Sequence, residues 1–305
     1  MIGSLSIDLD NLWSYMKVQG NPAWRSFPSF LDRVVPHVLE YLASRELRIT
    51  FFIVGQDARR EENLCQLQAI ARAGHEIGNH SFHHEPWIAS AGFADADREI
   101  AVAHEAIAEA TGREPFGFRG PGFATSPALL AALCGRGYRY DASCVPTFLG
   151  PVARWYYLRA AKVRGEERRR RAALFGRFSD VLAPNRAHTK RTPAGRIVEI
   201  PVTTMPFARL PIHLSYLHYL DGISPAMADR YFAWALALCA ATGTMPSLLL
   251  HPLDFLGRDD VPELAFFPAM ERPGERKRAA SARFIDAYLR RFDVIPLERH
   301  AKIAS

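Results

Sequence analysis

The chain has no apolar run of about eighteen residues, the length a membrane-spanning helix needs, so a bilayer-spanning segment is excluded on length. Cysteine is scarce. The four present among 305 residues, Cys65, Cys134, Cys144 and Cys239, form no C-x-x-C pair. A disulfide-dense scaffold and a cysteine-built zinc module are thereby excluded, and scattered, reduced, mostly buried thiols are the expectation. The N-terminal Ile2-Gly3-Ser4-Leu5-Ser6-Ile7-Asp8 lacks a basic stretch followed by a long apolar segment. A secretory signal is missing, and the expected location is cytoplasmic, with peripheral membrane contact left open. No internal repeat and no low-complexity tract occur, which excludes a solenoid.

What is present is ordinary for a globular protein. Hydrophobic residues make up 49% and charged residues 23%, enough for a sizeable core and too apolar for a disordered chain. The formal charge of +6 and the pI near 9.3 are local in origin. Arg154 to Arg196 holds thirteen Lys or Arg against three acids, including Arg168-Arg169-Arg170-Arg171, with Trp155, Tyr156, Tyr157, Phe175 and Phe178 interleaved. The rest is expected to form a single catalytic domain over 1–305, interrupted by a basic, partly helical insertion at about 150–196 lying over its face. That insertion suits a solvated surface, a lid touching phosphates or anionic lipid, or, least well, nucleic acid, since no recognition module accompanies the charge.

Strand and helix patterns alternate. Ser4 to Asp10, Arg48 to Gly55, Glu76 to Asn79, Phe116 to Arg119, Arg139 to Asp141, Ile197 to Val202, Ser247 to His251 and Val294 to Pro296 read as strands. Leu31 to Arg45 (with Pro36 as a kink or restart), Glu62 to Ala73, Asp95 to Thr111, Ser126 to about Gly135, Pro225 to Thr242 and Glu275 to Phe292 read as helices. The alternation predicts parallel strands wrapped by helices, in an α/β barrel or an open sheet.

Polar groups recur at the C-terminal ends of these strands, where parallel α/β folds build their sites. Asp8 and Asp10, two apart, would share one side of a strand, and the repulsion between them would be relieved by a metal or a proton; taken alone, the pair is better explained as a solvated acidic loop, or by Asp10 as a helix N-cap. In His80-Ser81-Phe82-His83-His84, residues i and i+4 would share one face of a helical turn. His80 and His84 could then offer two nitrogens, and Asp10 one oxygen, to a single divalent cation with positions left open for water and substrate. His83 would point elsewhere. Arg119, in Phe118-Arg119-Gly120-Pro121-Gly122, can pair with an acid, and the small residues let backbone N–H groups approach a ligand. His251 ends a buried strand and could donate a proton to a leaving nitrogen, with Asp141 orienting it. One carboxylate and two imidazoles suit zinc, the expected ion, and also cobalt, manganese, iron or nickel.

Taken in order, Asp8-Leu9-Asp10, His80-Ser81-Phe82-His83-His84, Arg119-Gly120-Pro121, Tyr140-Asp141-Ala142-Ser143 and Leu249-Leu250-His251 resemble the motifs of the polysaccharide deacetylase family, also called carbohydrate esterase family 4. The neighbouring Thr50-Phe51-Phe52-Ile53-Val54-Gly55 and Gly74-His75-Glu76-Ile77-Gly78-Asn79-His80 are similar to that family too. The likeness covers about 3–145 and 197–256. It implies a distorted (β/α) barrel of about seven strands. It implies Asp8 as general base, Asp10, His80 and His84 as metal ligands, and His251 as general acid. Arg119 would hold Asp8 and Asp141 would tune His251. The Gly122 N–H would steady the oxyanion, and Leu249 would line the acyl pocket. Two departures stand out. Asp-x-Asp replaces an adjacent pair, which leaves the roles of Asp8 and Asp10 exchangeable, and Gly122 with Phe123 replaces an aromatic directly after the R-x-P turn. Asp-x-Asp at the N-terminus, with Ile200 to Thr203, is also similar to deformylases and deacetylases of polyprenyl-linked sugars. The implied activity is metal-dependent removal of an N-acyl group, expected to be acetyl, from an amino sugar in a glycan, oligosaccharide or lipid-linked sugar. The alternatives are hydrolysis of a ureide or cyclic imide, and a non-catalytic sugar-binding relative.

Overall fold

A computed structural model describes residues 1–150, 178–265, 267 and 269–304. The elements follow in chain order: β1 (Ile2–Asp8), α1 (Leu12–Gln19), α2 (Leu31–Ala43), β2 (Thr50–Ile53), α3 (Gly55–Ala58), α4 (Glu61–Arg72), β3 (Glu76–Asn79), α5 (Phe93–Thr111), β4 (Gly117–Phe118), α6 (Pro127–Gly135) and β5 (Tyr140–Asp141). Then come β6 (His188–Thr192), β7 (Gly195–Glu199), α7 (Leu214–Ile223), α8 (Pro225–Ala241), β8 (Ser247–Leu250), α9 (Gly274–Leu289), β9 (Asp293–Ile295) and α10 (Leu297–Ala304).

The strands form one curled sheet in the order β6-β7-β5-β4-β3-β2-β1-β8. From β7 to β8 these are parallel neighbours, and only β6, hairpinned onto β7, runs antiparallel. β9 lies beside the first half of β1, Ile2 to Ser4, and β2 beside the second half, Ser6 to Asp8. The two ends of the curl are drawn together by Thr203, whose N–H donates to the Ser247 carbonyl at 3.0 Å while its Oγ1 accepts from the Ser247 N–H at 2.8 Å. The expected distorted barrel is thus present as a curled sheet, with nine strands where about seven were expected, eight of them in one continuous order.

Side-chain parity explains why the sheet curls around a polar interior. Leu5 and Ile7 of β1, and Phe51 and Ile53 of β2, join the main apolar cluster beneath the helices. The alternate residues Ser4, Ser6 and Asp8 contact polar groups instead: Ser4 Oγ meets His300 Nδ1, and Ser6 and Asp8 meet Arg119. Successive strand residues face opposite sides, so one register fixes both sets. Each fully buried Leu, Ile or Phe on the outer face stabilises the sheet by about 1.5–3 kcal/mol.

α2 runs unbroken through Pro36. The proline is exposed, so the carbonyl freed by its missing N–H faces water, and no restart is needed. α1 is a single short helix capped by the Asn11 side chain and stopped by left-handed Gly20. Its eight residues are too few to show a clear helical period in the sequence. Of the four thiols, all free, Cys144 and Cys239 are buried but Cys65 is exposed, which corrects the expectation for that position. The basic insertion falls in part on 151–177, outside the described residues. Its last stretch is not helical, since His188–Thr192 pairs with Gly195–Glu199 as the edge hairpin. Among the described residues, no helix is long and apolar enough to cross a membrane.

α10 plugs the barrel end at which the parallel strands begin. Leu297 N–H donates to Thr50 Oγ1, Glu298 N–H to Glu76, and His300 Nδ1 meets Ser4 Oγ at 2.9 Å. His300 is 1% exposed, and burial pulls it from 6.5 to about 4. Between those values the unfolded chain binds the extra proton. The stabilisation is therefore complete above about pH 6.5 and is lost as pH falls toward 4, by up to about 3 kcal/mol. Urea midpoints at pH 7 and 4.5 should show this loss, and His300→Gln should reduce it; an unchanged pH dependence in the variant would assign the acid sensitivity elsewhere.

Candidate active site

The opposite rim, where the strands end, collects the polar residues. The β1–β8 register pairs Ile7 with Leu250, so the next residues, Asp8 and His251, are neighbours. The register continues through β2 and β3, where the Leu9 N–H donates to the Phe52 carbonyl and the His80 N–H to the Ile53 carbonyl. Arg119 N–H in turn donates to the Asn79 carbonyl.

His80 and His84 converge, but not through a helical turn. Residues 80–84 form an irregular loop in which Ser81 and His84 take left-handed backbone angles of 62° and 51°. The loop is held from below. Asn79 Oδ1 accepts from the Ser81 N–H at 2.8 Å. Glu99 of α5 accepts from the Phe82 and His83 N–H groups at 3.0 and 2.7 Å. Glu99 also meets His83 Nδ1 at 2.7 Å, which takes His83 away from the cluster. The sequence signal for Glu99 is an acid on the buried stripe of α5, between Ala96, Ile100 and Ala103. Likewise β1 ends at Asp8, so the expectation that Asp8 and Asp10 share one side of a strand is corrected: Asp10 lies in the turn beyond it.

Asp10 Oδ1 lies 2.8 Å from His84 Nε2 and 3.4 Å from His80 Nε2, and the three ligand atoms are within 4.8 Å of one another. Neither Asp10 Oδ1 nor His84 Nε2, both buried, has a properly directed hydrogen bond. His80 Nδ1 lies 2.7 Å from the Arg119 carbonyl. A carbonyl only accepts, so Nδ1 carries the proton and Nε2 keeps a lone pair toward Asp10 and His84. Burial opposes ionisation of Asp10, yet His84 and His80 beside it hold its carboxyl well below the usual range. Burial lowers His80, but the Asp8 and Asp10 carboxylates outweigh it and raise it. The pocket therefore favours positive charge, and its donor set fits a divalent cation.

Asp8 is separate from this triad. Arg119, fully buried, donates from Nη1 to Asp8 Oδ1 at 2.7 Å and to Ser6 Oγ at 2.8 Å, and from Nε to the Ala142 carbonyl at 2.8 Å. Its guanidinium stacks 4.4 Å from the Phe52 ring centre. Beyond Arg119 the chain turns sharply. A Cβ on Gly120 would lie 1.9 Å from the Ala124 carbonyl oxygen, so only glycine fits, and Gly122 takes a left-handed φ of 58°. Leu249 packs with Val145, Val202 and Phe123 in a small buried cluster at this rim.

Asp141 is placed differently from the expectation that it tunes His251. It is fully buried on β5, within 2.5 Å of Ser143 Oγ, and Ser143 accepts the Gly120 N–H at 2.8 Å. Burial and the neighbouring Glu199 carboxylate push Asp141 well above the usual carboxylate range, with Lys190 opposing. Lys190 belongs to the basic segment and pairs with Glu199 at 2.7 Å. His251 is instead met at Nδ1 by Ser215 Oγ, 3.0 Å away. Ser215, Asp254, Glu99 and Tyr15 are site residues that sequence reasoning missed. Burial first, then the Asp10, Asp254 and Asp8 carboxylates, raise the Tyr15 hydroxyl well above its ordinary value.

Residues 21–140 match the family described as Polysaccharide deacetylase. Among curated proteins, the chain is 29% identical over 125 residues to the peptidoglycan deacetylase of Helicobacter pylori, covering 41% of this chain and 40% of that protein. It is 33% identical over 72 residues to the chitooligosaccharide deacetylase of Sinorhizobium fredii, covering 24% and 32%. The chain thus matches well under half the length of these relatives. Among solved structures, a Mycobacterium smegmatis protein assigned as a polysaccharide deacetylase superposes with a TM-score of 0.59 at 19% identity, over 99% of this chain and 90% of that one, which shows a shared fold. The matched segment, 21–140, contains His80, His84 and Arg119, so this part of the chain is similar to the polysaccharide deacetylase family, and the curled barrel that carries it shares the fold of the Mycobacterium smegmatis protein.

Proposed function

We propose that the chain is a metal-dependent hydrolase that removes the N-acetyl group from an amino sugar. The observation that carries this reading is the convergence on one rim of an Asp-His-His cluster, an Arg-held aspartate and a histidine. Asp10, His80 and His84 would hold the ion, with zinc the expected choice from the ligand types. A divalent cation there would polarise the scissile carbonyl and make water more acidic.

The chain's own groups supply the rest. The grouping of Asp10 with the imidazoles and of Asp8 with the guanidinium supports Asp10 as ligand and Asp8 as base. Asp8 takes a proton from the attacking water, and Arg119 orients its carboxyl. The Gly122 N–H donates to the developing oxyanion. His251 gives a proton to the departing nitrogen. Leu249, with Val145, Val202 and Phe123, offers an apolar wall for a methyl group. The relatives named as acting on peptidoglycan and chitooligosaccharide support an N-acetylated glycan as substrate.

The test is acetate release from N-acetylated chitooligosaccharides and from peptidoglycan fragments, alongside elemental analysis of the purified protein. About one equivalent of a divalent ion is expected, with activity lost to a strong chelator and restored by the ion. Full activity in the chelator would remove the metal from the mechanism.

A further inference from the structure

We infer that Asp254, acting through Ser215, is the device that orients His251 for proton transfer, and that Asp141 positions the Gly120–Gly122 turn instead. The inference rests on the deacetylase reading of the site.

The hydrogen-bond chain has one consistent direction. Asp254 accepts at both oxygens: from the His251 backbone N–H at Oδ2, 2.7 Å, and from Ser215 Oγ–H at Oδ1, 2.8 Å. A hydroxyl has one proton. Once Ser215 gives it to Asp254, its oxygen can only accept from His251 Nδ1, 3.0 Å away. His251 is then held with its proton on Nδ1, and Nε2 is the nitrogen left to exchange a proton with substrate.

The parts of this chain are rigid. Asp254 is buried at the end of a short 3-10 turn, Pro252–Asp254, directly after β8, and its carbonyl accepts from Ser281 Oγ of α9 at 2.7 Å. Ser281 Oγ is itself 2.8 Å from His218 Nε2 of α7. Ser215 sits in the first turn of α7. Two helices and a strand therefore fix a carboxylate on the His251 backbone and a serine between that carboxylate and the imidazole. Asp141, by contrast, reaches Gly120 through Ser143, so its influence falls on the turn that carries the oxyanion donor.

The chemistry gives a readout that a merely structural role would not move. In amide cleavage, water oxygen bonds to the carbonyl carbon, the C–N bond breaks, and nitrogen needs a proton from His251 as it leaves. In 4-nitrophenyl acetate, the C–O bond breaks and the phenolate leaves without a proton. With the metal-loaded protein, Ser215→Ala should lower kcat on an N-acetyl chitooligosaccharide by about 10- to 100-fold. It should leave kcat on 4-nitrophenyl acetate within about twofold, with KM for the sugar little changed. Ser215→Thr, which keeps the hydroxyl, should restore most of the loss, and Asp254→Asn should behave like Ser215→Ala. Asp141→Asn should depress both substrates together, because both need the oxyanion turn. Equal losses on the two substrates in Ser215→Ala, or no loss on either, would overturn the relay. If the unaltered chain hydrolyses the ester but no N-acetyl sugar, the deacetylase reading fails and the relay falls with it.

Discussion

Replacing His84 with alanine is expected to abolish stoichiometric binding of a divalent cation and to lower acetate release by about three orders of magnitude or more. The size follows from losing Lewis-acid stabilisation worth several kcal/mol in the transition state. His84 is the residue to test because its Nε2 is buried beside Asp10 Oδ1 without a directed hydrogen bond. His83→Ala is the matched control, since that imidazole is tied to Glu99 and lies outside the ligand set. Calorimetric titration with zinc and an acetate assay read both effects. A His84→Ala protein that binds zinc as tightly as before would remove this residue from the site.

The second large effect concerns Arg119. Arg119→Met should destabilise the fold by about 3–5 kcal/mol as well as abolish turnover, because it strands the buried carboxylate of Asp8 inside the barrel. The guanidinium is fully buried and bridges β1, β4 and the segment after β5 through Asp8, Ser6 and the Ala142 carbonyl. Asp8→Asn in the same background should recover part of the stability, since the uncompensated charge is gone, but no activity. Urea unfolding of the single and double variants forms a cycle that isolates the pair. Additive losses would mean that Arg119 and Asp8 do not depend on one another.

Much of this site was legible from local pattern. The paired acids after β1, the three histidines after β3, the Arg-Gly-Pro-Gly turn after β4 and the histidine after β8 all sit where a parallel strand ends, and a strand end is visible in sequence. The geometry within those motifs was not. The i, i+4 spacing of His80 and His84 suggested a helical turn, yet Glu99, sixteen residues beyond His83, holds their loop in left-handed angles instead. Asp141 stands at a strand end like the others, but burial and the neighbouring Glu199 carboxylate raise it against the pull of Lys190, a member of the basic segment whose charge run gave no hint of pairing inward.

Taken alone, then, the sequence determined which strands would be buried and which residues would crown them, because alternation and turn chemistry are properties of neighbours in the chain. It also determined the chemical identity of the groups that gather there: one carboxylate and two imidazoles, a second carboxylate beside an arginine, and a histidine at the end of β8. Only the tertiary structure decided that Asp10 and not Asp8 meets the imidazoles, and that His251 answers to Ser215 and Asp254 and not to Asp141. Those choices depend on which strand lies beside which and on where α5, α7 and α9 deliver a single oxygen. Hydrogen-bond partners 36 and 39 residues apart leave no periodic trace in a sequence, since a bond of 3 Å constrains positions in space and places no demand on the residues between.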